Sequence, residues 1–270
     1  MYHMPQQLTK SITGLLPLLL LLGGCAAPQK ELKPLLFPAG DEPRYIYERT
    51  LMSSGDVEEI TSAERFKQFA TGQSKKVRGL FKPFDIAVYK GRVYVTDTVQ
   101  RGIALFDIPQ GKFKLIGKEG AGQLQKPIGI DVSSEGEVFT IDTTTKRIFV
   151  YDLDGNFLRS FGKEAKMLRP TGLTVALGKV FVVDTGGVSS DKHQVKVFDS
   201  KSGELLQTIG KRSTDEGDFN LPLMIDADSK GHIYVVDSGN FRVQQFDANG
   251  NFVSTFGRVG IRVGQFSRPK

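Results

Sequence analysis

Two histidines, one cysteine and three aspartates at repeated positions are the side chains with the most chemistry to offer. Only His193 and His232 survive if His3 leaves with an N-terminal signal, and Cys25 is the only cysteine in 270 residues, so the mature chain cannot build a three-histidine zinc site. No Gly-x-Ser-x-Gly elbow or Walker loop occurs, and "GAGQLQ" from Gly120 lacks the last glycine of a dinucleotide fingerprint. "DLDGN" at 152–156 invites a calcium reading. Lys163, however, stands where an EF-hand needs its bidentate glutamate, and "DANGN" at 247–251 repeats the pattern, so both read as hairpin turns with Asx chemistry. The remaining candidates are carboxylates. Ala87, Asp131, Thr174 and Asp226 hold one equivalent place in four repeats, with Asp85 two residues earlier in the first. If their strands line a channel, Asp85, Asp131 and Asp226 converge there, either as cation ligands or as acceptors for a neighbouring strand's backbone or an arginine; the second reading is favoured because buried carboxylates need such partners.

The elements that place them are four copies of one unit. "PFDIAVYKGRVYVTD" from Pro83, "PIGIDVSSEGEVFTID" from Pro127, "PTGLTVALGKVFVVD" from Pro170 and "PLMIDADSKGHIYVVD" from Pro222 superpose by eye. Each continues into an apolar strand ending in aspartate, then a polar turn and a last strand ending at Gly117, Gly162, Gly210 or Gly257. The unit prolines lie 44, 43, 52 and 47 residues apart, counting Pro269. A period in the forties with four short strands predicts an all-β propeller, each blade buried only when its neighbours stack on both faces. Asp97, Asp142, Asp184 and Asp237 end the second strands and read as turn-makers, with Arg147 and Arg242 as ion-pair partners five residues beyond two of them.

The chain lacks tryptophan, which argues against a WD40 type, whereas "GHIYVVDSGNFRVQQFDANGNFVSTFG" at 231–257 resembles the NHL repeat. The other units resemble it more loosely, over residues 77–270 in all. With its N-terminal segments the whole chain is similar to the six-bladed NHL-type propeller lipoproteins of bacteria. Four complete four-stranded blades are present and Pro269 stands where a fifth begins, so that resemblance implies two further blades in a full-length chain; a true four-bladed ring and a dimer that completes itself are the alternatives. The repeat is specific for fold and weak for function.

Residues 1–24 carry Lys10, no acid, and an apolar run from Ile12 to Leu22 broken by Pro17. The order is that of an export signal, and the run is well short of the ~20 residues needed to span a bilayer. Leu22-Gly23-Gly24-Cys25 resembles the lipobox of bacterial lipoproteins, which implies cleavage between Gly24 and Cys25 and diacylglyceryl transfer to the thiol. Cys25 is then a tether, and no disulfide stabilises the exported domain. Ala26 in place of aspartate favours the outer membrane, facing the periplasm, if the cell is Gram-negative. Residues 25–43, with Pro28, Pro34, Pro38 and Pro43, read as an extended stalk, and 44–76 as a lead-in strand and short helix opened by a Thr61–Glu64 capping box.

Antiparallel blades put the interblade linkers and the loops between second and third strands at one end. Those segments carry fifteen Lys/Arg against six Asp/Glu, whereas the opposite turns sum to −3. Lys146, Arg169, Lys192, His193 and Arg258 are the candidate partner-binding residues of the basic end, and the long third-blade loop at 185–194 rises from it. A polarised ring attracts anionic partners. Export excludes nucleic acid as the natural ligand. Two readings result: a non-catalytic, lipid-anchored scaffold for an envelope protein, without cofactor or metal; or a lactonase-like metal-dependent hydrolase or lyase using the channel carboxylates.

Overall fold

The computed structural model describes residues 36–37, 44–74 and 76–270. Residues 1–35, with Gly24 and Cys25, lie outside them. The chain divides into two units, Met1–Arg49 and Thr50–Lys270. In the first, β1 (Leu36–Phe37) pairs antiparallel with β2 (Tyr45–Ile46). The second opens with a lead-in and helix α1 (Ser62–Thr71). Thr61 accepts the Glu64 N–H while the Glu64 carboxylate takes the Thr61 N–H at 2.9 Å, the reciprocal cap of the Thr-x-x-Glu spacing. Gly72 ends the helix at φ +68°, a left-handed conformation that glycine adopts without strain. Among the described residues no helix is long and apolar enough to cross a membrane.

Sixteen strands follow as four antiparallel sheets. The first blade holds β3 (Pro83–Tyr89), β4 (Arg92–Asp97), β5 (Gly102–Asp107) and β6 (Lys112–Ile116). The second holds β7 (Pro127–Val132), β8 (Val138–Asp142), β9 (Arg147–Tyr151) and β10 (Phe157–Phe161). The third holds β11 (Pro170–Ala176), β12 (Lys179–Asp184), β13 (Gln194–Asp199) and β14 (Leu205–Ile209). The fourth holds β15 (Pro222–Ala227), β16 (Ile233–Asp237), β17 (Arg242–Phe246) and β18 (Phe252–Phe256). Each blade thus begins at its repeat proline, where the missing N–H costs no ladder bond. The fourth blade supplies all four of its own strands.

Both faces of the inner blades are apolar, and the core lies between them. Tyr94, Ile103 and Leu105 of the first blade meet Ile130, Val138 and Phe149 of the second. Phe139, Ile141 and Val150 meet Leu173, Val180 and Val182 of the third. Phe181, Val183 and Val197 meet Ile225, Val235 and Phe246 of the fourth. The outer face of the first blade, Val93, Val95, Ala104 and Phe106, is covered by Leu51, Val57 and Leu80 of the lead-in. The lead-in therefore substitutes for a preceding blade.

Linkers lock the blades in series. Leu124, Met167 and Phe219, each three residues before a blade's proline, are almost fully buried. Each sits on the glycine that ends the preceding fourth strand: a Cβ on Gly117 would lie 2.5 Å from the Leu124 side chain, and one on Gly210 2.5 Å from Phe219. Both glycines have φ +75°, so close approach and backbone shape demand the same residue. Burying such a side chain stabilises by about 1.5–3 kcal/mol. Leu80 holds the same place before Pro83, and Phe266 before Pro269, packed on Gly257.

Candidate functional site

The innermost strands β3, β7, β11 and β15 neighbour one another in that order, and β15 does not pack on β3 in the same way. They surround a central cavity of about 320 Å³ lined by Asp85, Asp131, Thr174 and Asp226 together with Ile130, Leu173, Met224 and Tyr234. The repeat positions singled out in the sequence do converge on one cavity. Their oxygens are engaged by backbone. Asp85 accepts the Ile130 N–H of the next blade at 3.0 Å and that of Ile86 at 2.9 Å. Asp131 accepts the Val175 N–H at 2.8 Å, the Thr174 hydroxyl at 2.9 Å and the Val132 N–H at 2.7 Å. Asp226 accepts the Ala227 N–H at 2.8 Å, and the fourth blade's first strand has no next blade beside it.

Burial raises the pKa of both Asp85 and Asp131, against the opposing effect of those N–H donors. Each sees other acids: Asp131 and Asp226 raise Asp85, and Asp226 raises Asp131. Asp85 and Asp131 each bond across to the next blade, and Ile130, Leu173 and Met224 line the same cavity. Among the described residues no group of three or more His, Cys, Asp or Glu is disposed to hold a metal ion.

The second-strand aspartates clamp the linkers. Asp97 accepts the N–H groups of Phe81 and Lys82, Asp142 those of Gln125 and Lys126, and Asp184 those of Leu168 and Arg169, all at 2.6–3.0 Å. Each carboxylate also takes N–H groups from its own turn, as Asp97 does from Val99 and Gln100. Burial works to raise Asp97, but these donors outweigh it and hold its pKa below the ordinary carboxylate value. Arg242 pairs with Asp237 at 2.8 Å and donates to the Asp215 and Asp218 carbonyls. The buried Nε of Arg147 has no hydrogen-bond partner. The DLDGN and DANGN turns are closed by Asp152 and Asp247, whose carboxylates accept the Asn156 and Asn251 N–H groups at 2.8 and 2.9 Å.

At the linker end, Lys146, Arg169, Lys192 and Arg258 are all exposed. None of the four side chains has an ion pair or side-chain hydrogen bond among the described residues. His193 does not join them. It is fully buried: its Nδ1 accepts the Leu221 N–H at 3.1 Å, leaving Nε2–H to donate to the Gly187 carbonyl at 3.1 Å. The imidazole thus pins the 185–194 loop to the linker before the fourth blade, and a partner cannot reach it. Its neighbours "SSDKHQ" gave no apolar signal of burial. His232 is likewise committed, its Nδ1 2.8 Å from Asp228; that bond draws the Asp228 pKa down to about 2.

The opposite end joins blades through charge. Arg159 holds Glu137 with two bonds of 2.6 and 2.8 Å and donates to the Ser200 carbonyl in the next blade. Arg92 pairs with Asp107 at 2.9 Å and with Asp154 of the second blade at 3.0 Å. Such bidentate arginine contacts fix geometry as well as charge. Sequence reasoning missed these arginines because their partners in the neighbouring blades, Asp154 and Ser200, lie 62 and 41 residues away.

The NHL repeat family matches residues 219–246, from the linker plug Phe219 through β16 to the end of β17. The chain is 30% identical over 140 residues to the protein brain tumor of Drosophila melanogaster, covering 50% of this chain and 13% of that protein. It is 33% identical over 113 residues to the E3 ubiquitin-protein ligase NHLRC1 of Rattus norvegicus, covering 41% of this chain and 25% of the relative. It therefore spans a quarter or less of these relatives' length. Among solved structures, a streptogramin B lyase aligns with a TM-score of 0.52 at 15% identity, over 64% of this chain and 54% of that one. At that identity the likeness is one of fold. The chain carries an NHL repeat within an all-β propeller of four four-stranded antiparallel blades.

Proposed function

We propose that this chain is a non-catalytic binding propeller, exported and lipid-anchored through Cys25, that presents its linker-and-loop end to an anionic protein partner in the bacterial cell envelope. The observation that carries the reading is the disposition of Lys146, Arg169, Lys192 and Arg258: exposed, without carboxylate partners among the described residues, and at the end where Lys/Arg exceed Asp/Glu by nine. Unpaired cations of this kind act through a screened field on a partner's acids. The channel carboxylates support the non-catalytic side, because Asp85 and Asp131 each give one oxygen to a backbone N–H of the neighbouring blade and the other to a backbone N–H of their own strand. The reading includes the lipobox at Gly24–Cys25, the stalk at 25–43 and a complete ring of six blades in the family this chain resembles.

The test is capture from solubilised envelope with the parent and with Lys146, Arg169, Lys192 and Arg258 all replaced by glutamine. The variant loses four charges and no core contact, so its melting should match the parent's. Its envelope partner should elute at lower salt. Identical capture at identical salt sinks the basic-face reading and leaves the channel as the place to look.

A further inference from the structure

Helix α1 has no buried residue. Its hydrophobic side is turned to solvent: Phe66 is 73% and Phe69 90% exposed. Ala63, Phe66, Phe69 and Ala70 follow the i, i+3, i+4 spacing of one helical face. Phe81, beyond the helix, is also 73% exposed, whereas Ile60 and Val77 line a recess on the Glu64 and Gln68 side of the helix. A lone exposed aromatic needs no explanation, but three phenylalanines at least 73% exposed within 16 residues do.

The charges of the same segment indicate what meets that face. Between 58 and 82 stand Arg65, Lys67, Lys75, Lys76, Arg78 and Lys82, against Glu58, Glu59 and Glu64. Two of the three acids are already engaged: Glu64 caps the helix, and Glu58 accepts the Phe113 N–H. Arg65, Lys67, Lys76, Arg78 and Lys82 are exposed. A short amphipathic helix with phenylalanines on one side and basic residues around it is suited to the boundary between lipid headgroups and acyl chains.

We infer that the Phe66–Phe69 face of α1 forms a docking surface for an anionic lipid bilayer, with the two phenylalanines entering the headgroup boundary and Arg65 and Lys67 beside them meeting lipid phosphates. The inference deepens the tethered reading and rests on it only for the membrane being within reach. A lipidated Cys25 would tether the chain by its end through a proline-rich stalk, which leaves the propeller free to turn; a protein surface on the bilayer would fix its orientation.

The experiment uses the full chain with Cys25→Ser, which removes the acylation site, and Ala70→Cys, which places a polarity-sensitive fluorophore beside the two phenylalanines. A second chain carries the label at Lys201→Cys, in the turn between β13 and β14. Both are titrated with vesicles of phosphatidylcholine alone or mixed with phosphatidylglycerol. The expected result is a blue shift at position 70 on the anionic vesicles only, absent at position 201, weakened by salt and abolished by Phe66→Ser with Phe69→Ser. Arg65→Gln or Lys67→Gln should weaken vesicle binding about fivefold each. The inference is overturned if anionic vesicles produce no shift, if the shift survives loss of both phenylalanines, or if both labels respond alike, which would place adsorption elsewhere, as in the apolar run at 12–22. A vesicle-free shift that grows with protein concentration also overturns it and makes a second copy the occupant. Because no acyl chain is present, these outcomes are independent of whether Cys25 is lipidated.

Discussion

The carboxylate of Asp131 on β7 accepts the backbone N–H of Val175 on β11 at 2.8 Å, tying the second blade to the third at the centre of the propeller. Asp226 occupies the equivalent place on β15 and bonds only within its own strand, to Ala227. Asp131→Ala should therefore cost about 2 kcal/mol, because a buried donor loses its acceptor. Asp226→Ala should stay within about 0.5 kcal/mol. Urea unfolding of the two variants decides it: equal losses would mean that the interblade bond contributes nothing.

The acids of the fold pull stability in opposite directions with pH. Asp97 has a lowered pKa because its linker and turn donors outweigh burial. In the window between its folded value and the ordinary value near 4 the unfolded chain binds more protons, so its contribution is present above that window and lost as pH falls through it. Asp85 and Asp131, raised by burial, behave inversely: their contribution is present in acid and lost as pH rises through their folded values. Asp97→Asn should flatten the acid limb of a stability profile, and Asp131→Asn the limb above it. Unchanged profiles from both would show that neither group governs acid unfolding.

His193→Leu preserves bulk while removing two bonds, from the Leu221 N–H and to the Gly187 carbonyl. A loss of about 2 kcal/mol is expected. Hydrogen exchange should quicken at Leu221 and across 185–194 while the β7–β8 amides keep their protection. Unaltered exchange at Leu221 would show that the linker is held without the imidazole.

Cys25→Ala should leave an uncleaved or soluble form with the same folded propeller. A mutant that loses its signal yet withstands salt and carbonate washing of the membrane would refute the tether.

Much of this architecture is legible because it is periodic. Strand alternation, the prolines at 83, 127, 170 and 222 and the aspartates at 97, 142, 184 and 237 recur at matched offsets, so four blades and their turn chemistry emerge from superposition. Features that occur once are opaque. Nothing around His193 marks it as buried, since the contacts that enclose it come from Leu221, 28 residues away. The cover over the first blade is an intermediate case: Leu80 lies three residues before Pro83, as Leu124, Met167 and Phe219 do before theirs, and that offset identifies a linker plug. Leu51 and Val57 have no counterpart in the repeat. The apolar face of α1 follows from helical periodicity, but that none of its residues is buried does not.

The plugs at Leu124, Met167 and Phe219 also impose a timetable. A blade's own strands do not seal it; the chain that will begin the next blade does, by seating its plug on the finished glycine corner. During synthesis, N-terminus first, a blade closes only after the residues from its last strand to the plug have followed, from Ile116 to Leu124, Phe161 to Met167 or Ile209 to Phe219. Leu80, arriving with the lead-in, frees the first blade from waiting for any predecessor. The propeller is thus arranged to be assembled like a zip, tooth by tooth from its N-terminal end, with each tooth held open no longer than one linker takes to emerge.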